Sequence, residues 1–296
     1  MAVSEAPSER GRTVRGLLNS MEGIRRHPLL VVGGLMLAVC MLAVLFPGAL
    51  APHDPLRSDI GNRLAPPFWY PDGSMEYPLG TDGLGRDLLS RMIYSARISF
   101  TIGVAGAAVS AVVGVAVGLV AGYFGGFLDT VLMRLTDIQL AFPSTLLAIA
   151  LLTVVTPSVI SIGLVLAMTL WVWHARTIRG MVLSIRESPF VLGARALGAS
   201  SGRIMRKYIT PFVLGQVLVF GILQVAIIIQ LETGLSYLGL GIRPPVPSWG
   251  NMLAENKEYL TTVPWVGIFP GLAVIFAVLG LSLFGEGMRE ILGRRL

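Results

Sequence analysis

The run GTDGLGRD, Gly80 to Asp87, is the stretch whose glycines and charges most suggest chemistry. A phosphate-cradling loop needs Gly, four residues, then Gly-Lys-Ser/Thr, so that backbone amides and one ammonium converge on the phosphates. Neither this run nor any other part of the chain has that spacing, so it reads as a loop, and any use of ATP belongs to another polypeptide. His27, His53 and His174 lie far apart and show no metal-ligand spacing, and no metal or cofactor is expected on this chain. Cys40 is the sole cysteine, which excludes a disulfide within the chain. No nucleophile, base and orienting acid recur together, so no catalytic constellation is expected. Arg134 and Asp137, three residues apart, would share one helix face and form a structural ion pair.

The elements that must position these residues are apolar. Of 296 residues, 54% are hydrophobic and 14% charged, with a mean hydropathy of +0.73, which nearly excludes a soluble single-domain enzyme. A helix crossing a bilayer needs about 20 apolar residues to span about 30 Å of hydrocarbon. Six stretches meet that need, from Leu29 to Phe46, Ile98 to Tyr123, Val131 to Val155, Ser158 to His174, Phe212 to Leu231 and Pro264 to Phe284. The first could be a signal peptide, but its long leader with Glu5, Glu9 and Glu22, and Pro52 after the would-be cut, favour an uncleaved helix.

Basic residues resist translocation, so they set orientation. With the N-terminus in the cytosol, 16 of the 23 Lys and Arg collect on that side. The basic charge of +6 is then a topology signal and calls for no nucleic-acid partner. The expected organisation is a cytoplasmic leader over 1–28, a first span over 29–46, an extracytoplasmic segment over 47–97, a five-helix core over 98–286 and a cytoplasmic tail over 287–296. The core includes a cytoplasmic segment over 175–210 and a second outer loop from Glu232 to Val263.

In the second span Gly114, Gly118 and Gly122 recur every four residues, after Gly103, Ala107 and Ala111, which suits close backbone approach in a packed interior. Pro143 and Pro270 favour kinks in the third and sixth spans. No span carries the ladder of buried acids and histidines of a proton-coupled pump.

The segment FVLGARALGASSGRIMRKYITPFV, Phe190 to Val213, suggests a helix, a turn and a second helix lying on the cytoplasmic face. Ala194 and Gly198 fall one turn apart and would make a small surface open to a partner, with Arg203, Arg206 and Lys207 clustered beyond. A solvated loop held to lipid headgroups by Arg is the alternative.

This segment resembles the EAA loop of ABC-importer permeases: Ala194, Gly198, Ile209 and Pro211 match its pattern. Leu192 stands where the family has Glu, Gly193 where it has the first Ala, and Thr210 where it often has Leu. YPLGTDGLGRDLLSRMIYSARIS (77–99), MRLTDIQLAFPSTLLAIA (133–150), LSYLGLGIRPPVPSWGNMLAE (235–255), FPGLAVIF (269–276) and GEGMRE (285–290) are similar to the second permease subunit of dipeptide, oligopeptide and nickel importers.

The resemblance implies an all-α membrane protein of the type I importer permease fold in a prokaryotic cell membrane, with six transmembrane helices, cytoplasmic coupling helices and both termini in the cytosol. It implies half of a permease heterodimer with a second, different permease subunit, driven by two ATPase subunits that hold ATP and magnesium, and served by an extracytoplasmic peptide-binding protein. A helix from Phe190 to Ser200 would couple to the ATPase. The coupling residues would be Leu192, Gly193, Ala194, Arg195, Ala196, Leu197, Gly198, Ala199, Ser200, Arg203, Ile209 and Pro211. Pro244, Pro245, Pro247 and Trp249 in the outer loop would touch the binding protein or cap the pore. Gln224, Gln230 and Glu232 would offer polar contacts to a passing peptide, with core packing the alternative for Gln224. Dipeptides or short oligopeptides are the expected cargo, with glutathione and nickel chelates behind them. A secondary transporter or channel acting alone, or a membrane scaffold, are the rival classes.

Overall fold

The computed structural model describes residues 27–293. The expected leader up to residue 26, and Arg294 and Arg295 of the expected tail, lie outside the described residues. Within them the chain is helical, and its one β feature is an isolated bridge between Thr81 and Asp87. The helices are α1 (Pro28–Leu45), α2 (Pro47–Leu50), α3 (Leu88–Phe124), α4 (Gly126–Leu140), α5 (Ser144–Val154), α6 (Val159–Ile185), α7 (Pro189–Ala196), α8 (Ser201–Ile204), α9 (Thr210–Tyr237), α10 (Trp249–Glu255) and α11 (Trp265–Gly293). A π turn over Met205–Ile209 joins α8 to α9.

Five helices, α1, α3, α6, α9 and α11, are long and apolar enough to cross a bilayer. The third expected span, Val131 to Val155, is not one helix: α4 and α5 meet at 87°. Pro143 explains the break, because it has no N–H to return to α4 and its φ of −56° and ψ of 129° start a new helix. Gln139 fixes the end of α4 by donating to the carbonyls of Met168 (2.8 Å) and Thr169 (3.0 Å), while Trp171 Nε1 donates to Gln139 Oε1 (2.9 Å).

Two other boundaries differ from expectation. α3 has 37 residues, about 55 Å at 1.5 Å each, well beyond the hydrocarbon thickness. It starts at Leu88 because the Asp87 carboxylate accepts from the Ser90 N–H (2.9 Å), and its first turns pack under residues 51–87. α6 opens on a Ser158–Ser161 capping box and runs on to Ile185, so the stretch 175–185, expected in the cytoplasmic segment, is helix.

The third difference concerns charge. The expected Arg134–Asp137 pair does not form: Asp137 pairs with Arg176 on α6, and Asp129 accepts from Arg179 Nη2 at 2.6 Å. The extra turns of α6 bring these arginines alongside α4, and Arg134 points to the exposed side of its helix.

The glycine stripe sets the core, as expected. A Cβ on Gly114 would stand 2.4 Å from the Cβ of His174, one on Gly118 2.7 Å from the Ala175 carbonyl, and one on Gly122 2.7 Å from the Cβ of Val182. α3 and α6 therefore touch backbone to backbone, the arrangement that favours helix association in lipid. α9 closes on the same helix at Gly103, where a Cβ would meet Val225 Cγ1 at 3.0 Å, and α1 lies on α11 through Gly33. Leu35 and Leu45 on α1 and Ile275 on α11 face outward, as lipid-facing residues do.

Candidate functional site

Two places in this bundle gather polar side chains, one at each end of α3. At its C-terminal end the chain makes an elbow. Pro189 occupies the first turn of α7, where a missing N–H costs nothing, and Ser188 Oγ donates to the Ile185 carbonyl (2.6 Å). α7 ends at Ala196 because Gly198 takes a φ of +79°, and Ala199 N–H returns to the Ala194 carbonyl at 3.0 Å. Side-chain-bearing residues are strained at that φ, which accounts for Gly here.

This geometry divides the expected coupling residues between two surfaces. Val191 is buried against Tyr123, Ile178, Val182, Ile204, Ile209 and Val213, and fastens the elbow to α3, α6 and α9, while Ala194 is also buried. Leu192, Gly193, Arg195, Ala196, Gly198, Ser200, Arg203 and Pro211 are exposed, with Ala199 half-buried. Leu197 at the tip is 90% exposed. Ala194 lines the groove beside Leu197, while Gly198 is the exposed stop beyond the helix. The expected helix from Phe190 to Ser200 is shorter for the same reason. Arg195 lies over the Tyr123 ring, 5.8 Å from its centroid. Beside Leu197 opens a groove of 970 Å³ lined by Ala199, Arg203, Arg206, Lys207 and Tyr208.

At the N-terminal end of α3 sits a charged cap, and GTDGLGRD is its centre. Asp82 accepts from Arg86 Nε (2.7 Å) and Arg91 Nη1 (2.8 Å), and Arg91 Nη2 donates to Glu255 Oε2 (2.9 Å). Arg86 also pairs with Glu255, closing a quartet of two carboxylates and two guanidiniums. The second Asp82 oxygen takes the backbone N–H of Leu84 (2.9 Å) and of Arg86 (3.0 Å). Burial outweighs the neighbouring Arg86 guanidinium and pushes the Glu255 carboxyl above its usual range. Nearby, the Asn62 amide, followed by the Gly61 N–H, holds the Asp59 carboxyl below its ordinary range.

Reading the run as a plain loop missed this quartet. The available signal was the recurrence of Asp82, Arg86 and Arg91 in one stretch that must lie beside an apolar helix, where unpaired charge is costly. The partner Glu255 lies 164 positions beyond Arg91, and no local pattern shows it.

The other expected site residues divide in the same way. Trp249 is 3% exposed, donates from Nε1 to the Met92 carbonyl (3.1 Å) and meets Phe100 edge to face, so it anchors α10 to α3 and cannot touch a soluble partner. Pro247 is buried as well, whereas Pro244 and Pro245 are exposed. Gln224 is buried and donates from Nε2 to Ser110 Oγ (2.7 Å), the packing role. Glu232 is fully buried and accepts from Ser236 Oγ (2.7 Å), so it lines no open path here; Gln230 is exposed. Among the described residues, no three His, Cys, Asp or Glu side chains converge to hold a metal.

The elbow joins two membrane helices, α6 and α9. Residues 114–296 match the profile of the binding-protein-dependent transport system inner membrane component family. The chain belongs to this family. Residues 21–67 match the N-terminal transmembrane domain of oligopeptide transport permease C. The dipeptide transport system permease protein DppC of Alkalihalophilus pseudofirmus is 32% identical, over 99% of this chain and 94% of that one. The oligopeptide transport system permease protein OppC of Bacillus subtilis is 34% identical, over 94% and 89%. The glutathione transport system permease protein GsiD of Escherichia coli is 33% identical, over 92% and 88%. As a member of this permease family the chain is a multi-pass membrane protein with the type I importer permease fold.

Proposed function

We propose that this chain is a translocation subunit of an ATP-driven importer for dipeptides or short oligopeptides, moved by ATPase subunits that dock on the elbow from Pro189 to Pro211. The observation that carries this reading is the elbow itself: an 8-residue helix whose inner face is welded to three membrane helices, while Leu197 at its tip is bare. A docked partner can push such an element as a lever, because Val191 and Ile209 transmit displacement to α3, α6 and α9. ATP shifts the transporter between its two openings only as far as contacts differ between them.

The elbow then lies in the cytosol, as the concentration of Arg and Lys there favours. The charged cap faces the opposite side, where an extracytoplasmic binding protein would deliver cargo. The heterodimer partner is a second permease subunit, and ATP with its magnesium resides on the ATPases. Peptide cargo is supported by the names of the relatives; the glutathione permease among them makes a γ-linked tripeptide the second candidate.

The test is peptide uptake into proteoliposomes holding the complete complex. Leu197→Asp, at the 90% exposed tip, should abolish ATP-driven uptake while the protein still inserts. Normal uptake by that variant would refute the docking role.

A further inference from the structure

The groove at the elbow has a polarity that says what its partner carries. Its rim holds Arg203, Arg206 and Lys207, all exposed, and Arg195 stands exposed on α7 next to Leu197. Among the described residues none of these four has a carboxylate within ion-pair distance. Other cations of the bundle do: Arg176, Arg179, Arg186 and Arg289 each face an acid. Arg57, Arg63, Arg97, Arg134, Arg243 and Lys257 also lack one among the described residues, so what sets the elbow apart is that three of its unpaired cations, Arg203, Arg206 and Lys207, line a single groove. Position 192, which the EAA pattern fills with Glu, carries an exposed Leu, so α7 itself offers no anion to a partner. Between the cations projects the apolar knob of Leu197.

The π turn Met205–Ile209 belongs to the same device. Its wider winding brings Arg206 and Lys207 to the groove lined by Arg203 and Leu197, and Thr210 Oγ1 donates to the Met205 carbonyl (2.9 Å) to hold it. Such turns are rare and recur at functional sites.

We propose that the ATPase surface seated on this elbow is acidic: a socket with an apolar floor for Leu197 and Asp or Glu side chains around it, which meet Arg203, Arg206 and Lys207. This rests on the coupling role assigned above and adds to it the chemistry of the partner. Exposed charges of this kind steer encounter and select between partners, so they also restrict which ATPase the elbow accepts.

The experiment titrates the purified ATPase subunits onto the full permease pair in nanodiscs of neutral phosphatidylcholine. Wild-type binding should weaken as salt rises. Arg206→Glu with Lys207→Glu should weaken it about tenfold at low salt and flatten the salt response. Arg206→Gln with Lys207→Gln should fall between, which guards against a folding defect in the reversed pair. Salt-independent binding that both reversals leave intact would overturn the acidic socket. So would a loss seen only in nanodiscs containing anionic lipid, since the cations would then serve headgroups. Leu197→Asp separates the two levels. If it releases the ATPase while the reversals do not, only the acidic socket falls; if it too leaves the ATPase bound, the coupling role itself falls.

Discussion

The Asp82 carboxylate accepts from the Arg91 guanidinium at 2.8 Å, and neither side chain has any exposure to solvent. Together with Arg86 and Glu255 they bind the first turns of α3 to α10 across more than 160 residues of intervening chain. Removing one member leaves buried charge without a partner. Arg91→Ala should therefore cost about 3–5 kcal/mol, read as a lower melting temperature of the purified protein in detergent. Asp82→Asn added to Arg91→Met should restore part of that loss. Unchanged melting of Arg91→Ala would show that the quartet holds nothing together.

Trp249 offers a sharper test of where the outer loop works. Buried between Met92 and Phe100, it should act through stability alone: Trp249→Ala should cost about 3–5 kcal/mol of folding free energy. Exposed Pro244→Ala should leave melting within about 0.5 kcal/mol of wild type. A Trp249→Ala protein that melts normally would place that indole on the surface.

On α3 the small stripe admits no side chain. Gly118→Val should cost at least about 1–3 kcal/mol, since its Cβ would meet the Ala175 carbonyl at 2.7 Å, and protease resistance of the α3–α6 pair should fall with it. Gly193→Ala, with no atom within 4 Å of the new Cβ, should be neutral in the same assay.

Acid should loosen the cap before the bundle. The folded Asp59 carboxyl, held down by the Asn62 amide and then the Gly61 N–H, titrates below the unfolded value of about 3.9. Its contribution is complete above that unfolded value and is lost as pH falls through the folded one. Proteolysis of residues 51–87 should accelerate over that window, and Asp59→Asn should remove this part of the pH dependence. An identical acid profile for the variant would discount the carboxyl.

How much of this was legible beforehand depends on range. Most of the apolar runs and the glycine stripe of α3 are local properties of the chain and appear where the residues place them; the run from Val131 to Val155, broken at Pro143, does not. Helix ends were less visible: Asp87 caps α3 through Ser90, but nothing near Leu88 says that its first turns lie beneath a cap. The partners of charged groups were least visible. Asp137 chose Arg176 on α6 over Arg134 one turn away, because helix packing decides which charges meet. At the elbow the helix expected up to Ser200 ends at Ala196, because Gly198 takes a left-handed φ, and the exposed tip falls to Leu197.

The central claim is that an ATPase grips this tip. Cys40, the single native cysteine, is buried, so a Cys40→Ala, Leu197→Cys protein carries one accessible thiol at the elbow. Assembled with the ATPase subunits and treated with a short bifunctional cross-linker, it should link to an ATPase, in a yield that changes between nucleotide-free and ATP-bound states. A thiol that reacts only with lipid-soluble reagents, and never joins an ATPase in either state, would contradict the account.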